Sequence, residues 1–209
     1  MSSIDDFRRH FGECPLVAII RGVQPAEAED VGRALYDAGI RIIEVPLNSP
    51  QPFESISRLA SSLGGQALIG AGTVLDASQV PQVKAAGGRL IVSPNTDARV
   101  IEATVAARMV SSPGYFTPSE AFTAIRAGAH ALKLFPAEGA TPALIKAHKA
   151  VLPQTLPIIV VGGVKPDGMR PWIEAGAEGF GLGSGLFKPG VSAAEIAANA
   201  RGYVAGLER

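Results

Sequence analysis

LVAIIRGVQPAEAEDVGRALYDAGIRIIEV, residues 16–45, opens on five aliphatic residues, crosses an Ala- and Glu-rich stretch introduced by Pro25, turns at Gly39 and closes on Ile42-Ile43-Glu44-Val45. A short apolar run bounded by turn residues is the pattern of a strand buried on both faces. An Ala-rich amphipathic stretch with proline at its start and glycine past its end is the pattern of a helix. The same alternation continues from end to end without a linker. Strands are expected at 16–20, 42–45, 67–69, 90–92, 109–111, 131–134, 158–161 and 179–182. Helical patterns lie between them at 25–38, 52–63, 77–86, 98–107, 118–127, 141–151, 167–175 and 193–205, with start signals at Asp76, Thr117-Pro118 and Thr141-Pro142. Gly39, Gly64, Gly87, Gly128 and Gly176 mark the turns into the following strands. Eight parallel strands, each followed by a helix, predict an α/β fold: a (β/α)8 TIM barrel, one domain over residues 1–209. Residues 1–12 are expected to form an N-terminal helix capping the barrel bottom, and the Ala-rich tail 192–209 a closing helix; neither shows chemistry in the sequence. A doubly wound dinucleotide fold is the competitor. Gly70-Ala71-Gly72 carries Leu75, and Gly181-Leu182-Gly183 carries Leu186, where that fingerprint needs its third glycine.

The 209 residues are 47% hydrophobic with formal charge +0, enough for a sizeable core and without the basic excess that nucleic acid demands. Cys14 is the single cysteine, which excludes an intrachain disulfide and a cysteine-cluster metal site and fits a reducing compartment. His10, His130 and His148 show no zinc-type spacing, so no metal is expected. No apolar run approaches the roughly 20 residues of a membrane span, and 1–11 is too polar for a signal peptide. The expectation is a soluble, cytoplasmic protein with no membrane or nucleic-acid partner.

Barrel chemistry sits at the C-terminal ends of the strands. The ends here are Arg21-Gly22, Glu44 before Pro46, Gly70-Ala71-Gly72-Thr73, Ser93-Pro94-Asn95, Ser112-Pro113-Gly114, Lys133, Val161-Gly162-Gly163 and Gly183-Ser184-Gly185. By strand parity Arg21, Glu44 and Lys133 face inward, while Ile20, Ile43, Val45, Leu132 and Leu134 face the helices. A lysine inside an apolar strand is expected to lose its proton easily, and a neutral amine attacks carbonyls to form a Schiff base. Glu44 is then the proton-transfer group, directly or through one water. Arg21 would hold Lys133 deprotonated by like-charge repulsion and fix an anion through its planar fork. The alternatives are a structural salt-bridged layer for the interior charges and a plain surface charge for Arg21. Gly162-Gly163 and Gly183-Ser184-Gly185 offer backbone N–H groups suited to phosphate; tight strand-to-helix turns are the other explanation. Thr73, with the N–H groups of Gly72-Thr73, is a candidate for a small carboxylate. Lys165 and Lys188 lean at most toward an anion.

Ile43-Glu44-Val45-Pro46-Leu47-Asn48-Ser49-Pro50, Gly70-Ala71-Gly72-Thr73-Val74-Leu75, Ser93-Pro94-Asn95, Ala131-Leu132-Lys133-Leu134-Phe135-Pro136, Val161-Gly162-Gly163-Val164 and Gly181-Leu182-Gly183-Ser184 resemble, in order and at matching strand ends, one known family. It is that of the 2-keto-3-deoxy-6-phosphogluconate and -galactonate (KDPG/KDPGal) aldolases, and the resemblance covers residues 15–187. It implies a class I, metal-free, cofactor-free lyase, with Lys133 forming the Schiff base and Glu44 moving protons. A phosphorylated 2-keto-3-deoxy sugar acid is then the substrate and a homotrimer the assembly. Asn48 and Val161 stand where gluconate-type members generally have arginine and threonine, and both departures match the galactonate branch. The implied reaction cleaves 2-dehydro-3-deoxy-6-phospho-D-galactonate to pyruvate and D-glyceraldehyde 3-phosphate in galactonate degradation. Cleavage of the gluconate epimer, or of both, stays open. In this scheme Thr73 and Arg21 hold the carboxylate end, and Gly162, Gly163, Gly183 and Ser184 hold the phosphate. Pro94 and Pro113 shape apolar walls, though rigid turns explain both prolines equally well. Two rivals from other classes share the cradle: a phosphosugar isomerase or decarboxylase, and a non-catalytic sensor of phosphorylated sugar acids.

Overall fold

The computed structural model describes residues 2–207; Met1, Glu208 and Arg209, the ends of the expected terminal helices, lie outside them. In chain order the elements are α1 (Ser3–Glu13), β1 (Leu16–Ile19), α2 (Ala28–Asp37), β2 (Ile42–Pro46), α3 (Pro52–Ser62), β3 (Leu68–Gly72), α4 (Gln79–Ala85), β4 (Leu90–Val92) and α5 (Ala98–Ala106). They continue as β5 (Val110–Ser112), β6 (Gly114–Tyr115), α6 (Pro118–Arg126), β7 (Leu132–Leu134), α7 (Pro142–Lys149), β8 (Ile158–Val161), α8 (Arg170–Glu174), β9 (Gly179–Leu182) and α9 (Ala193–Gly206). All pairings are parallel, in the order β5-β4-β3-β2-β1-β9-β8-β7-β6. The two ends of this sheet, β5 and β6, are halves of one extended segment separated only by Pro113, so the chain itself closes the ring. Proline has no N–H for the ladder. Across the break, His130 N–H donates to Ser111 O and Lys133 N–H to Pro113 O, both at 2.9 Å. The expected eight-strand arithmetic therefore holds, with the fifth strand in two pieces.

Parity divides the apolar strand residues into two cores. Val17, Ile19, Ile42, Leu68, Leu90, Val92, Val110, Ala131, Ile159 and Val161 fill the barrel interior. Ile20, Ile43, Val45, Leu132 and Leu134 pack outward with helix residues such as Val31, Leu35, Leu59 and Ile145. Each fully buried Leu or Ile contributes roughly 1.5–3 kcal/mol of transfer free energy. The N-terminal helix closes the interior from below: Phe7 joins the inner core and stacks on Phe11, ring centroids 5.2 Å apart. Ser2 and Asp5 form its capping box, and Asp6 ties it to Arg89 at 2.6 Å.

Several boundaries differ from the sequence expectation for local reasons. β3 runs on to Gly72, because Glu44↔Gly70 and Pro46↔Gly72 still pair beyond the apolar run. α2 starts at Ala28 rather than Pro25, and the α3-to-β3 turn takes its left-handed residue at Gly65 (φ 76°) rather than Gly64. The expected 167–175 helix is split into a 3-10 turn, Pro166–Gly168, and the short α8. Thr117-Pro118 does open α6, with a capping box to Glu120, whereas Thr141 makes no side-chain cap and Asp76 instead accepts from the Ser78 N–H at 2.7 Å.

Candidate active site

β2 turns Ile43 and Val45 onto the helices and so directs Glu44 inward, where it is 1% exposed. β7 does the same for Lys133 between Leu132 and Leu134, leaving it 6% exposed. Arg21, two residues beyond Ile19, lies past the end of β1 at the exposed rim. Loss of water dominates the titration of the buried pair. It pushes the Glu44 carboxyl up to about 7, against the opposing pull of the Lys133 and Arg21 charges. It also pushes the Lys133 amine down from the ordinary lysine range, with Glu44 resisting and Arg21 assisting. Among the described residues, Glu44 and Lys133 form no ion pair within 4.0 Å, and Glu44 Oε2 has no hydrogen-bond partner. These groups are therefore not a contact salt-bridged layer: their mutual attraction offsets only part of the desolvation, and their burial costs stability. Both border a void of about 10 Å³ together with Ser112, Ile159 and Val161, space on the scale of one water. The Lys133 ammonium position lies 4.9 Å from the Phe135 ring centroid.

Above them opens a cavity of about 550 Å³, lined by Arg21, Thr73, Pro94, Lys133, Val161, Gly162, Gly163, Gly183 and Ser184. Glu44 lies deeper, and Gly72 lies against its carboxyl rather than on the cavity wall: a Cβ on Gly72 would collide with all three outer Glu44 atoms. Pro94 forms part of the wall, whereas Pro113 does not; its contribution is the carbonyl that receives the Lys133 N–H. The Arg21 guanidinium donates to Asn48 Oδ1 and, at 3.3 Å, to Thr73 Oγ1, which aligns it along the rim. Gly22 N–H donates to Ser49 Oγ at 2.9 Å, binding the first two strand ends together. An arginine at position 48 would replace this acceptor with a second cation.

The turn after β8 needs glycine twice over. Gly162 and Gly163 have φ of 125° and 64°, and a Cβ on either would run into Glu138, which follows β7 in the 3-10 segment Ala137–Gly139. Gly183 faces open space, so nothing in the fold itself obstructs a ligand there. Phe135, Glu138, Lys165, Lys188 and Tyr203 also line the cavity. Phe135 shares the parity of Lys133 and was legible from that alone. Tyr203 comes from α9, where the sequence showed no chemistry; no local pattern marks a residue whose target turns lie about 20 and about 40 positions earlier. Among the described residues, no group of three or more His, Cys, Asp or Glu is placed to hold a metal ion, and no helix is long and apolar enough to cross a membrane.

The fold and site define a parallel α/β barrel with a buried amine and carboxyl beneath an open, glycine-rich rim. Residues 8–199 match the family described as KDPG and KHG aldolase, and the chain belongs to it. It is 48% identical over 184 residues to a probable 2-dehydro-3-deoxy-6-phosphogalactonate aldolase of Rhizobium meliloti (strain 1021), covering 88% of this chain and 87% of the relative. It is 47% identical over 190 residues to the 2-dehydro-3-deoxy-6-phosphogalactonate aldolase of Escherichia coli (strain K12), covering 91% and 93% of the two chains. A solved structure described as native KDPGal superposes with a TM-score of 0.92 at 45% identity, covering 94% of this chain and 95% of that one.

Proposed function

We propose that this protein is a class I aldolase cleaving 2-dehydro-3-deoxy-6-phospho-D-galactonate to pyruvate and D-glyceraldehyde 3-phosphate. The observation that carries the chemistry is a desolvated, unpaired Lys133 at the floor of the cavity with the Glu44 carboxyl beneath it. The neutral amine attacks the C2 ketone, and loss of water gives an iminium that draws electrons from the C3–C4 bond. Glu44, through one water, takes the C4 hydroxyl proton as that bond breaks and glyceraldehyde 3-phosphate leaves. The remaining enamine is protonated at C3, and hydrolysis releases pyruvate and restores the lysine. Arg21 and Thr73 receive the substrate carboxylate, with Gly72 leaving room for the adjoining Glu44 carboxyl. Gly162, Gly163, Gly183 and Ser184 receive the phosphate, and Pro94 and Val161 form the wall between. The working assembly is a homotrimer in the cytoplasm, serving galactonate degradation, as the family resemblance implies.

Borohydride reduction in the presence of pyruvate tests the central step. The expected product is one reduced pyruvate adduct on Lys133, absent in Lys133→Met. Recovery of unmodified protein, despite verified pyruvate binding, would reject a Schiff-base mechanism.

A further inference from the structure

Helix α9 reaches both glycine-rich turns at once. Tyr203 Oη donates to Val164 O at 3.1 Å, and Val164 directly follows Gly162-Gly163. Asn199, four residues earlier and so on the same helix face, donates from Nδ2 to Leu186 O at 3.4 Å, just beyond Gly183-Ser184-Gly185. A Cβ on Gly185 would run into the Tyr203 hydroxyl, so the end of the ring is wedged between the turns while it borders the cavity. The helix is itself firmly seated: a Cβ on Gly206 would lie 2.8 Å from Pro166 O and 3.0 Å from the Met169 sulfur. Two turns that offer backbone N–H groups to one anion must be held at a set separation, because hydrogen bonds weaken steeply with distance and angle.

We propose that Tyr203, aided by Asn199, is a positioning residue that sets the spacing of the two turns and thereby the affinity for the phosphate end of the substrate. This rests on the assignment of those turns to phosphate. Tyr203 is 4% exposed, and its burial raises the phenol pKa, so the hydroxyl stays a donor across the working pH range.

Tyr203→Phe keeps the ring and removes only the hydroxyl. KM for the phosphorylated substrate is expected to rise about five- to tenfold, the scale of one lost hydrogen bond. At the same time kcat should change by less than about twofold, the signature of lost binding rather than lost chemistry. The pyruvate concentration that half-saturates borohydride trapping stays put, since pyruvate carries no phosphate. Asn199→Ala, acting on the other turn, moves the same KM in the same direction. An unchanged KM in a Tyr203→Phe protein with wild-type thermal stability overturns the proposal, as do equal losses on the phosphorylated and dephosphorylated substrates. Wild-type protein that fails to favour the phosphorylated substrate would sink the phosphate assignment, and this proposal with it. That result is read without any variant, so it is separable from a failure at Tyr203.

Discussion

Replacing Glu44 by glutamine should make the protein more stable at pH 8 while abolishing most of its activity. The folded-state value for Glu44 is about 7, raised from 4.5 because burial penalises the carboxylate. The fold therefore favours the protonated acid. The stability tied to that form is fully present below about pH 4.5 and is lost as pH rises through about 7. At 1.36 kcal/mol per unit, the span from 4.5 to 7 amounts to about 3 kcal/mol, an upper figure because Lys133 titrates against the same group. Glutamine mimics the neutral acid in shape and polarity and cannot ionise. Urea unfolding at one fixed protein concentration should find the variant and wild type within about 0.5 kcal/mol at pH 4.5, and the variant up to about 3 kcal/mol more stable at pH 8. Cleavage should fall by roughly 10²–10⁴, and the acid limb of kcat/KM near pH 7 should disappear. A stability difference that does not grow between pH 4.5 and pH 8 would refute the claim that Glu44 is held in an environment hostile to its charge. Such a site sacrifices stability for function.

Val161→Thr sets a hydroxyl against the cavity with little change of shape, beside Gly181 in the inner wall. Measured on the two C4 epimers side by side, it should shift preference toward the gluconate form by about fivefold, near 1 kcal/mol; an unchanged ratio removes Val161 from specificity. Gly72→Ala drives a methyl into the Glu44 carboxyl, so it should cost about 1–3 kcal/mol of stability and lower kcat by at least about tenfold. Wild-type kcat and thermal midpoint in that variant would show that the carboxyl has room to move.

The inward parity of Glu44 and Lys133 was legible because a strand repeats every two residues, and Ile43, Val45, Leu132 and Leu134 flank them on the opposite face. The glycine-rich strand ends were legible as well, because the backbone conformation at Gly162 and Gly163 leaves its mark in residue type. The break at Pro113 was not, since a proline after a strand ends it in one context and merely interrupts it in another. Nor was the place of Glu138: it follows a strand in a 3-10 turn with no parity to aim it, yet it lies against Gly162 and Gly163 and lines the cavity.

Local pattern thus determined the alternation of strands and helices, the ring they must form, and which side chains point into it. Tertiary structure alone decided that Glu44 Oε2 stays without a partner, that Asn48 and Thr73 aim Arg21 along the rim, and that Tyr203 of α9 donates to Val164 O while lying against Gly185. Parity follows from bonds between neighbours in sequence. Distances between strand ends follow from the closure of the whole barrel, and desolvation, like hydrogen bonding across the rim, depends on those distances.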